Sequence, residues 1–310
     1  MSNNTIFSQE LKQIPFFEKQ SKIDDPALYE FPEGLMNAVK VAIHLGQPIL
    51  LTGEPGTGKT ELAKAVAHKL NMLEPLVFYT KTTSTAKDLF YIYDSLGHFQ
   101  FTQNNKNTEL SFSEIENKFI HYQALGKAIK QNNQRRIVLI DEIDKAPRDL
   151  PNDILNEIEK MEFEVPEINK TGKNSIKSEE KYRPVIIMTS NSEKNLPDAF
   201  LRRCIFFHIE FPNDELLIKI LRNKIIKAEY TNEQWQNIVS HFNWVRKKTK
   251  RKKPATSELI MWADVLALNN FDVSKLTDTK ELSSEEKAIL NMSYSVLAKN
   301  IDDFKAVKLK

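Results

Sequence analysis

The apolar residues of this chain fall into two patterns. Short unbroken runs occur at Ile49-Leu50-Leu51, Leu76-Val77-Phe78-Tyr79, Ile137-Val138-Leu139-Ile140 and Val185-Ile186-Ile187-Met188. Runs of this length, rich in β-branched side chains and without alternation, predict parallel strands buried on both faces. Helical spacing appears in Leu35, Ala38, Val39, Ala42 and Ile43, which end at Gly46, a C-cap residue. It recurs in Leu62, Val66 and Leu70 with Ala63 and Ala67 beside them, and in Leu150, Ile154, Leu155, Ile158 and Met161. Strands alternating with helices predict an α/β layer built on a parallel sheet.

Weaker patterns fill the gaps. Residues 89–93 and 98–101 flank a turn at Asp94-Ser95-Leu96-Gly97, which predicts a hairpin set into or beside a helix. Residues 163–168 alternate like an edge strand that tolerates Pro166, and the lysine-rich residues 169–182 read as a loop or a hairpin tip. After Ile209 no strand pattern remains. Asn213, Thr231 with Gln234, and Ser283 with Glu286 stand where helix N-caps belong, and a further helical stripe spans residues 257–268. The expected organisation is an extension over residues 1–28, an α/β domain over 29–212 and a helical domain over 213–310. In the extension, Ile14-Pro15-Phe16-Phe17 is the one apolar knot, either a docking arm or a packed edge.

Composition changes this picture little. At 310 residues with a formal charge of +2, the chain has room for two domains and no overall electrostatic bias towards a partner. A single cysteine, Cys204, excludes an intrachain disulfide and suits a reducing compartment. No signal peptide or membrane-spanning run is evident, so the expectation is a cytoplasmic protein with no membrane contact. The six histidines show no pair at metal-ligand spacing.

Candidate chemistry sits at the ends of the buried runs. After Leu51-Thr52 comes Gly53-Glu54-Pro55-Gly56-Thr57-Gly58-Lys59-Thr60, a G-x-x-x-x-G-K-[ST] pattern between a strand and a helix. Glycines let consecutive backbone N–H groups and a helix N-terminus surround a polyphosphate. Lys59 can reach the β- and γ-phosphates, and the Thr60 hydroxyl can ligate Mg²⁺. The residues expected to hold a nucleoside triphosphate are therefore Gly53, Glu54, Pro55, Gly56, Thr57, Gly58, Lys59 and Thr60. The run ending at Ile140 delivers Asp141 and Glu142, the first suited to holding Mg²⁺ and the second to orienting an attacking water. A solvated acidic turn is the competing reading of that pair. Asn191, at the end of the last run, would help position the water. Arg202 and Arg203 are either surface cations in weak ion pairs or an arginine finger offered to a neighbouring subunit. Tyr29 and Phe31, ahead of the first helix, are core residues or part of a base pocket. The basic run at residues 246–253 is a solvated loop, a nucleic-acid contact, or a nucleotide or subunit contact.

In this order and spacing, residues 53–60, 137–142, Asn191 and Arg202/Arg203 resemble an AAA+ ATPase, and residues 46–60, 139–146 and 196–203 are similar to its MoxR-like branch. The resemblance implies a P-loop NTPase αβα sandwich with a parallel central sheet and an all-helical lid, using ATP and Mg²⁺ in a ring homo-oligomer, usually a hexamer. It implies that Asp141 is the Walker B aspartate, Glu142 the catalytic glutamate, Asn191 the sensor-1 residue and Arg202 or Arg203 the finger. It also implies insertions at residues 89–101 and 163–182 that line a pore or face a client, and a chaperone-like activity on protein partners, often von Willebrand A-domain proteins. A nucleic-acid-dependent motor and a nucleotide-gated scaffold with weak hydrolysis are the alternatives. One departure stands out: these enzymes carry an arginine just after a proline at the start of a lid helix, whereas here Pro254 is followed by Ala255.

Overall fold

A computed structural model describes residues 25–105, 110–168, 175–191, 194–225 and 228–309. The knot at residues 14–17 and residues 169–174 of the 169–182 stretch lie outside the described residues. Contacts group the chain into two compact units. One comprises Glu33–Gly53 and Lys59–Ile209; the other comprises the described residues up to Pro32, the turn Glu54–Gly58, and Glu210 onwards.

The first unit begins with helix α1 (Leu35–Leu45), closed by Gly46 in the left-handed conformation at φ 63°. Strand β1 (Ile49–Gly53) and helix α2 (Lys59–Lys69) follow, then strand β2 (Leu76–Tyr79). An insertion contains β3 (Tyr91–Tyr93), α3 (Ser95–Asn104), α4 (Phe112–Phe119) and β4 (Ile120–Tyr122). Helix α5 (Ala124–Lys130) leads to β5 (Ile137–Asp141). Then come α6 (Leu150–Asp153), α7 (Leu155–Lys160), a small hairpin of β6 (Glu162–Glu164) and β7 (Ser175–Lys177), β8 (Val185–Ser190), α8 (Asp198–Leu201) and β9 (Ile205–Ile209). The main sheet runs β2-β5-β8-β1-β9 with every pairing parallel. β5, β8 and β1 are buried along their whole length, as consecutive apolar residues in a two-sided parallel sheet require. Helix α2 packs on β5, β1 and β8, and α5 on β2 and β5. Gly126 in α5 is a position only glycine can fill, because a Cβ there would lie 1.9 Å from the Phe90 carbonyl oxygen.

Several sequence expectations need correction. β2 is an edge strand, half-buried, with Tyr79 exposed, rather than a buried one. Residues 94–97 are not a hairpin turn. The Asp94 carboxylate accepts the Gly97 N–H and caps α3, and β3 pairs antiparallel with β4 some 30 residues on. The stripe at 150–161 breaks at Ile154 into two short helices, although Leu150, Ile154, Ile158 and Met161 remain buried on one side. The 163–168 strand stops before Pro166, where a 3₁₀ turn begins.

The second unit is helical: α9 (Asp214–Lys224), α10 (Asn232–Lys248), α11 (Thr256–Leu268), α12 (Ser284–Leu297) and α13 (Ile301–Val307). The three caps read from the sequence are formed. Asn213 accepts the Leu216 N–H at 2.9 Å, and Thr231/Gln234 and Ser283/Glu286 close capping boxes. The core includes Leu217, Phe242, Leu259, Trp262, Leu290 and Tyr294. The basic run is not simply a loop. Arg246, Lys247 and Lys248 form the last turn of α10, and the N–H groups of Lys250, Arg251 and Lys252 donate to the Asp303 carboxylate at 2.8, 3.3 and 3.1 Å. Burial pushes that carboxyl up, but the donors from Asn300 and the three amides outweigh it and bring Asp303 down to about 2. Among the described residues no helix is long and apolar enough to cross a membrane.

Candidate nucleotide site

Parallel register decides what meets at the carboxyl edge of the sheet. Thr52 of β1 pairs with Ser190 of β8, and Leu139 of β5 pairs with Ile187, so Gly53, Asp141 and Asn191 emerge along one edge. In open α/β sheets this is where ligands bind. α2 then starts with Lys59 and Thr60. Lys59 is 6 % exposed, and its ammonium donates to the Gly53 carbonyl at 2.8 Å. The Thr60 hydroxyl donates to the Asp141 carboxylate, 3.0 Å from Oδ1 and 3.2 Å from Oδ2.

Asp141 and Glu142 share a second partner. The Thr189 hydroxyl donates to Asp141 Oδ1 at 2.6 Å and accepts the Glu142 N–H at 2.8 Å. Glu142 has φ 55°, a left-handed backbone uncommon for a side chain of its size and costing on the order of 1–3 kcal/mol. Four bonds hold it there. The Thr189 hydroxyl takes its N–H, its carbonyl accepts the Lys145 N–H at 2.9 Å, Asn191 Nδ2 donates to Oε1 at 2.9 Å, and the Lys145 ammonium pairs with Oε2. Strain maintained by its surroundings in this way is a mark of functional sites. The Asn191 N–H also donates to the buried Asp144 carboxylate at 3.4 Å.

The turn itself has the backbone its glycines imply. Gly56 and Gly58 lie at φ 74° and 84°, and the Thr57 hydroxyl donates to the Glu54 carbonyl at 2.9 Å. Within its own unit the turn is close to Ala255, Ser257 and Tyr29. Tyr29 and Phe31 pack edge to face with ring centroids 5.0 Å apart. The chemistry of these groups fits a polyphosphate with a divalent cation. Glycine-only backbone and a buried ammonium suit the anion, and a hydroxyl beside a carboxylate is the all-oxygen donor type that Mg²⁺ takes.

The structure does not bring Arg202 and Arg203 to these groups. Both follow α8 and are exposed. Arg203 donates to the Ala199 carbonyl at 3.0 Å and lies 3.7 Å from the Glu159 carboxylate. Arg202 makes no side-chain hydrogen bond or ion pair among the described residues. Sequence reasoning missed Thr189 and Lys145. Thr189 announced itself only as one of three polar residues closing an apolar run, and Lys145 only as a cation three residues after Glu142.

Comparisons with known proteins complete the site's context. An uncharacterised protein of Staphylococcus epidermidis is 25 % identical over 264 residues, covering 81 % of this chain and 91 % of that protein. Among solved structures, the Thermotoga maritima RuvB Holliday junction branch migration motor aligns at 14 % identity over 85 % of this chain and 74 % of its own, with a TM-score of 0.46. A candidate ATPase of Cytophaga hutchinsonii aligns at 15 % identity over 89 % and 84 %, with a TM-score of 0.42. The family model for the AAA domain (dynein-related subfamily) matches residues 48–204, which run from the residue before β1 to the residue before β9 and span half of the chain. The chain therefore belongs to that family of AAA+ ATPases.

Proposed function

We propose that this protein is a Mg²⁺-dependent ATPase of the MoxR-like branch that assembles into a ring, usually of six, and remodels protein partners. The observation that carries the reading is the pairing at the sheet edge, Thr60 with Asp141 and Asn191 with Glu142. In this reading Gly53, Glu54, Pro55, Gly56, Thr57 and Gly58 wrap the phosphates, and Lys59 contributes a positive charge to them. Thr60 and Asp141 hold the magnesium, which when bound would offset the charge of the triphosphate. Glu142 orients and polarises the attacking water, with Asn191 and Lys145 fixing its carboxylate. Arg202 or Arg203 reaches the pocket of a neighbouring copy, a task that suits a planar and permanently charged guanidinium. Arg202, with no side-chain partner in its own chain among the described residues, is the freer of the two.

Residues 29–212 form the nucleotide-binding domain in this reading, residues 213–310 the lid and residues 1–28 an extension. A protein client is supported by the insertion from β3 to β4, where Ile92, Leu96, Phe99 and Phe112 are all exposed. Von Willebrand A-domain proteins are the partner class to try first. Nucleic acid is less well supported, because Arg246 of the basic run is turned onto Glu54 and Arg251 onto Asp302. The single cysteine favours a reducing compartment such as the cytoplasm.

Glu142→Gln tests the core of this proposal. The variant should keep its ATP affinity and lose turnover by about 10²–10³-fold, within the usual reach of a positioned acid–base group. Undiminished turnover would remove Glu142 from the chemistry. Mixing Glu142→Gln subunits with Arg202→Ala or Arg203→Ala subunits should restore some hydrolysis if the finger acts between copies. Wild-type activity that is unchanged by dilution to the monomer would refute that arrangement.

A further inference from the structure

The phosphate turn carries a carboxylate, Glu54, directly after Gly53. Glu54 is matched by a cation from the end of α10, within the same unit: Arg246 Nη2 lies 2.9 Å from Glu54 Oε2. The Arg246 side chain is only 12 % exposed. Its Nη1 donates to the Pro254 carbonyl, and its guanidinium lies over the Phe211 ring, 3.6 Å from the centroid. Phe211 in turn stacks on the fully buried Phe242, with centroids 6.4 Å apart. An unbroken line of contacts thus leads from the turn to the middle of the helical core. The turn is also closely pressed from the same unit: a Cβ on Gly56 would fall 2.6 Å from Ala255 Cβ, and one on Gly58 would fall 3.2 Å from the Tyr29 ring.

We propose that Arg246 is a positioning residue for bound nucleotide, acting through Glu54 and not on the phosphates themselves. This inference rests on the nucleotide reading above. A carboxylate in a phosphate-binding turn opposes the charge of the ligand, and its cost depends on a nearby cation. Arg246 removes that opposition and fixes the Glu54 backbone, whose carbonyl also receives the Thr57 hydroxyl. Three different partners in three directions explain an arginine here, since lysine has neither the fork nor the planar face. Because the guanidinium is committed to Glu54, Pro254 and Phe211, its influence runs through the turn amides, which cradle the α- and β-phosphates. ADP and ATP should therefore feel it equally.

The test is equilibrium titration of the full chain with fluorescent ADP and with a fluorescent non-hydrolysable ATP analogue. Melting temperatures without nucleotide are measured alongside. Arg246→Ala should weaken both nucleotides about tenfold, the scale for unpairing a partly buried charge. Arg246→Lys should fall between Arg246→Ala and wild type. Glu54→Gln should tighten both by about threefold, and the double variant should bind like Glu54→Gln alone, about threefold tighter than wild type where additive effects would leave it about threefold weaker, a strongly non-additive cycle. If the double variant binds as poorly as Arg246→Ala, the residue matters only for folding of the helices, and the inference fails. A loss confined to the ATP analogue would mean direct contact with the γ-phosphate and would overturn it too. Wild-type protein that binds neither nucleotide overturns the nucleotide reading and this inference together, whereas additive effects, with a double variant about threefold weaker than wild type, overturn this inference alone.

Discussion

The α/β region and the helical region each contain a network of polar side chains, and they treat it in opposite ways. In the first, Thr60, Asp141, Glu142, Lys145, Thr189 and Asn191 converge from strand ends, and Glu142 and Lys145 remain about a third exposed. In the second, His241 Nδ1 donates to the Leu276 carbonyl at 3.2 Å and Nε2 accepts from the Tyr294 hydroxyl at 2.7 Å, while Trp262 Nε1 donates to Ser293 at 2.9 Å. Those helical residues are almost wholly enclosed. An open network at a sheet edge can exchange partners with a ligand. A sealed one can only hold helices together, at a high cost if any member is left unpaired. Substitutions should therefore separate the regions, striking chemistry in one and stability in the other.

The largest effect on stability should come from Trp262→Ala. It removes a fully buried side chain and leaves the Ser293 hydroxyl without its indole donor, for a loss of about 3–5 kcal/mol in denaturant titration. A loss below about 1 kcal/mol would mean the helical network is not sealed.

Acid should come next. Burial holds the His241 imidazole neutral and pulls it from 6.5 down to about 4, against the Leu276 carbonyl, which pulls it up. Since a carbonyl only accepts, Nδ1 carries the proton and Nε2 accepts from Tyr294. The unfolded chain takes up a proton near pH 6.5 and the folded chain only near 4, so the unfolded state binds more protons in that window. Stability is then flat above pH 6.5 for this group and falls as pH drops towards 4, by about 3 kcal/mol in all. Melting followed by tryptophan fluorescence should show that slope, and His241→Gln should flatten it. An equal slope in the variant would shift the cause to other groups.

Thr189→Val should sharpen the comparison from the other side. It deprives the Asp141 carboxylate and the Glu142 N–H of one shared partner, so turnover should fall about tenfold while stability falls by about 1 kcal/mol. Thr189→Ser, which keeps the hydroxyl, should recover most of the rate. Full turnover in Thr189→Val with a loss in Thr189→Ser would show that the methyl group matters and the hydroxyl does not. Smallest of all, Lys145→Met should leave stability within about 0.5 kcal/mol, because the pair with Glu142 is partly exposed, while altering turnover measurably.

Legibility in the sequence followed the same division. Buried parallel strands declare themselves by composition, which is why β1, β5, β8 and the residues at their ends could be located without coordinates. N-caps are local chemistry, and Asn213, Thr231 and Ser283 were readable for that reason. What could not be read depends on distant partners. β2 looks like its neighbours, and only sheet order makes it an edge. Asp94 is equally at home in a turn or ahead of a helix, and the α3–α4 insertion settles the matter by pairing β3 with β4 instead. Thr189 gains its role from lying across from Asp141 in a neighbouring strand, and Arg246 from a turn nearly two hundred residues earlier. The absence of an arginine after Pro254 was visible, but nothing in the local spacing pointed to the preceding helix.

Asp303 grips the segment after α10 by its main chain and not by its cations. The shape of that segment is thus set by main-chain bonds, to which the exposed Arg251–Asp302 pair adds little. Lys250, Arg251 and Lys252 could be exchanged for neutral or even acidic residues with the loop path preserved, so the surface charge here is free to drift with whatever it faces while the scaffold beneath stays the same.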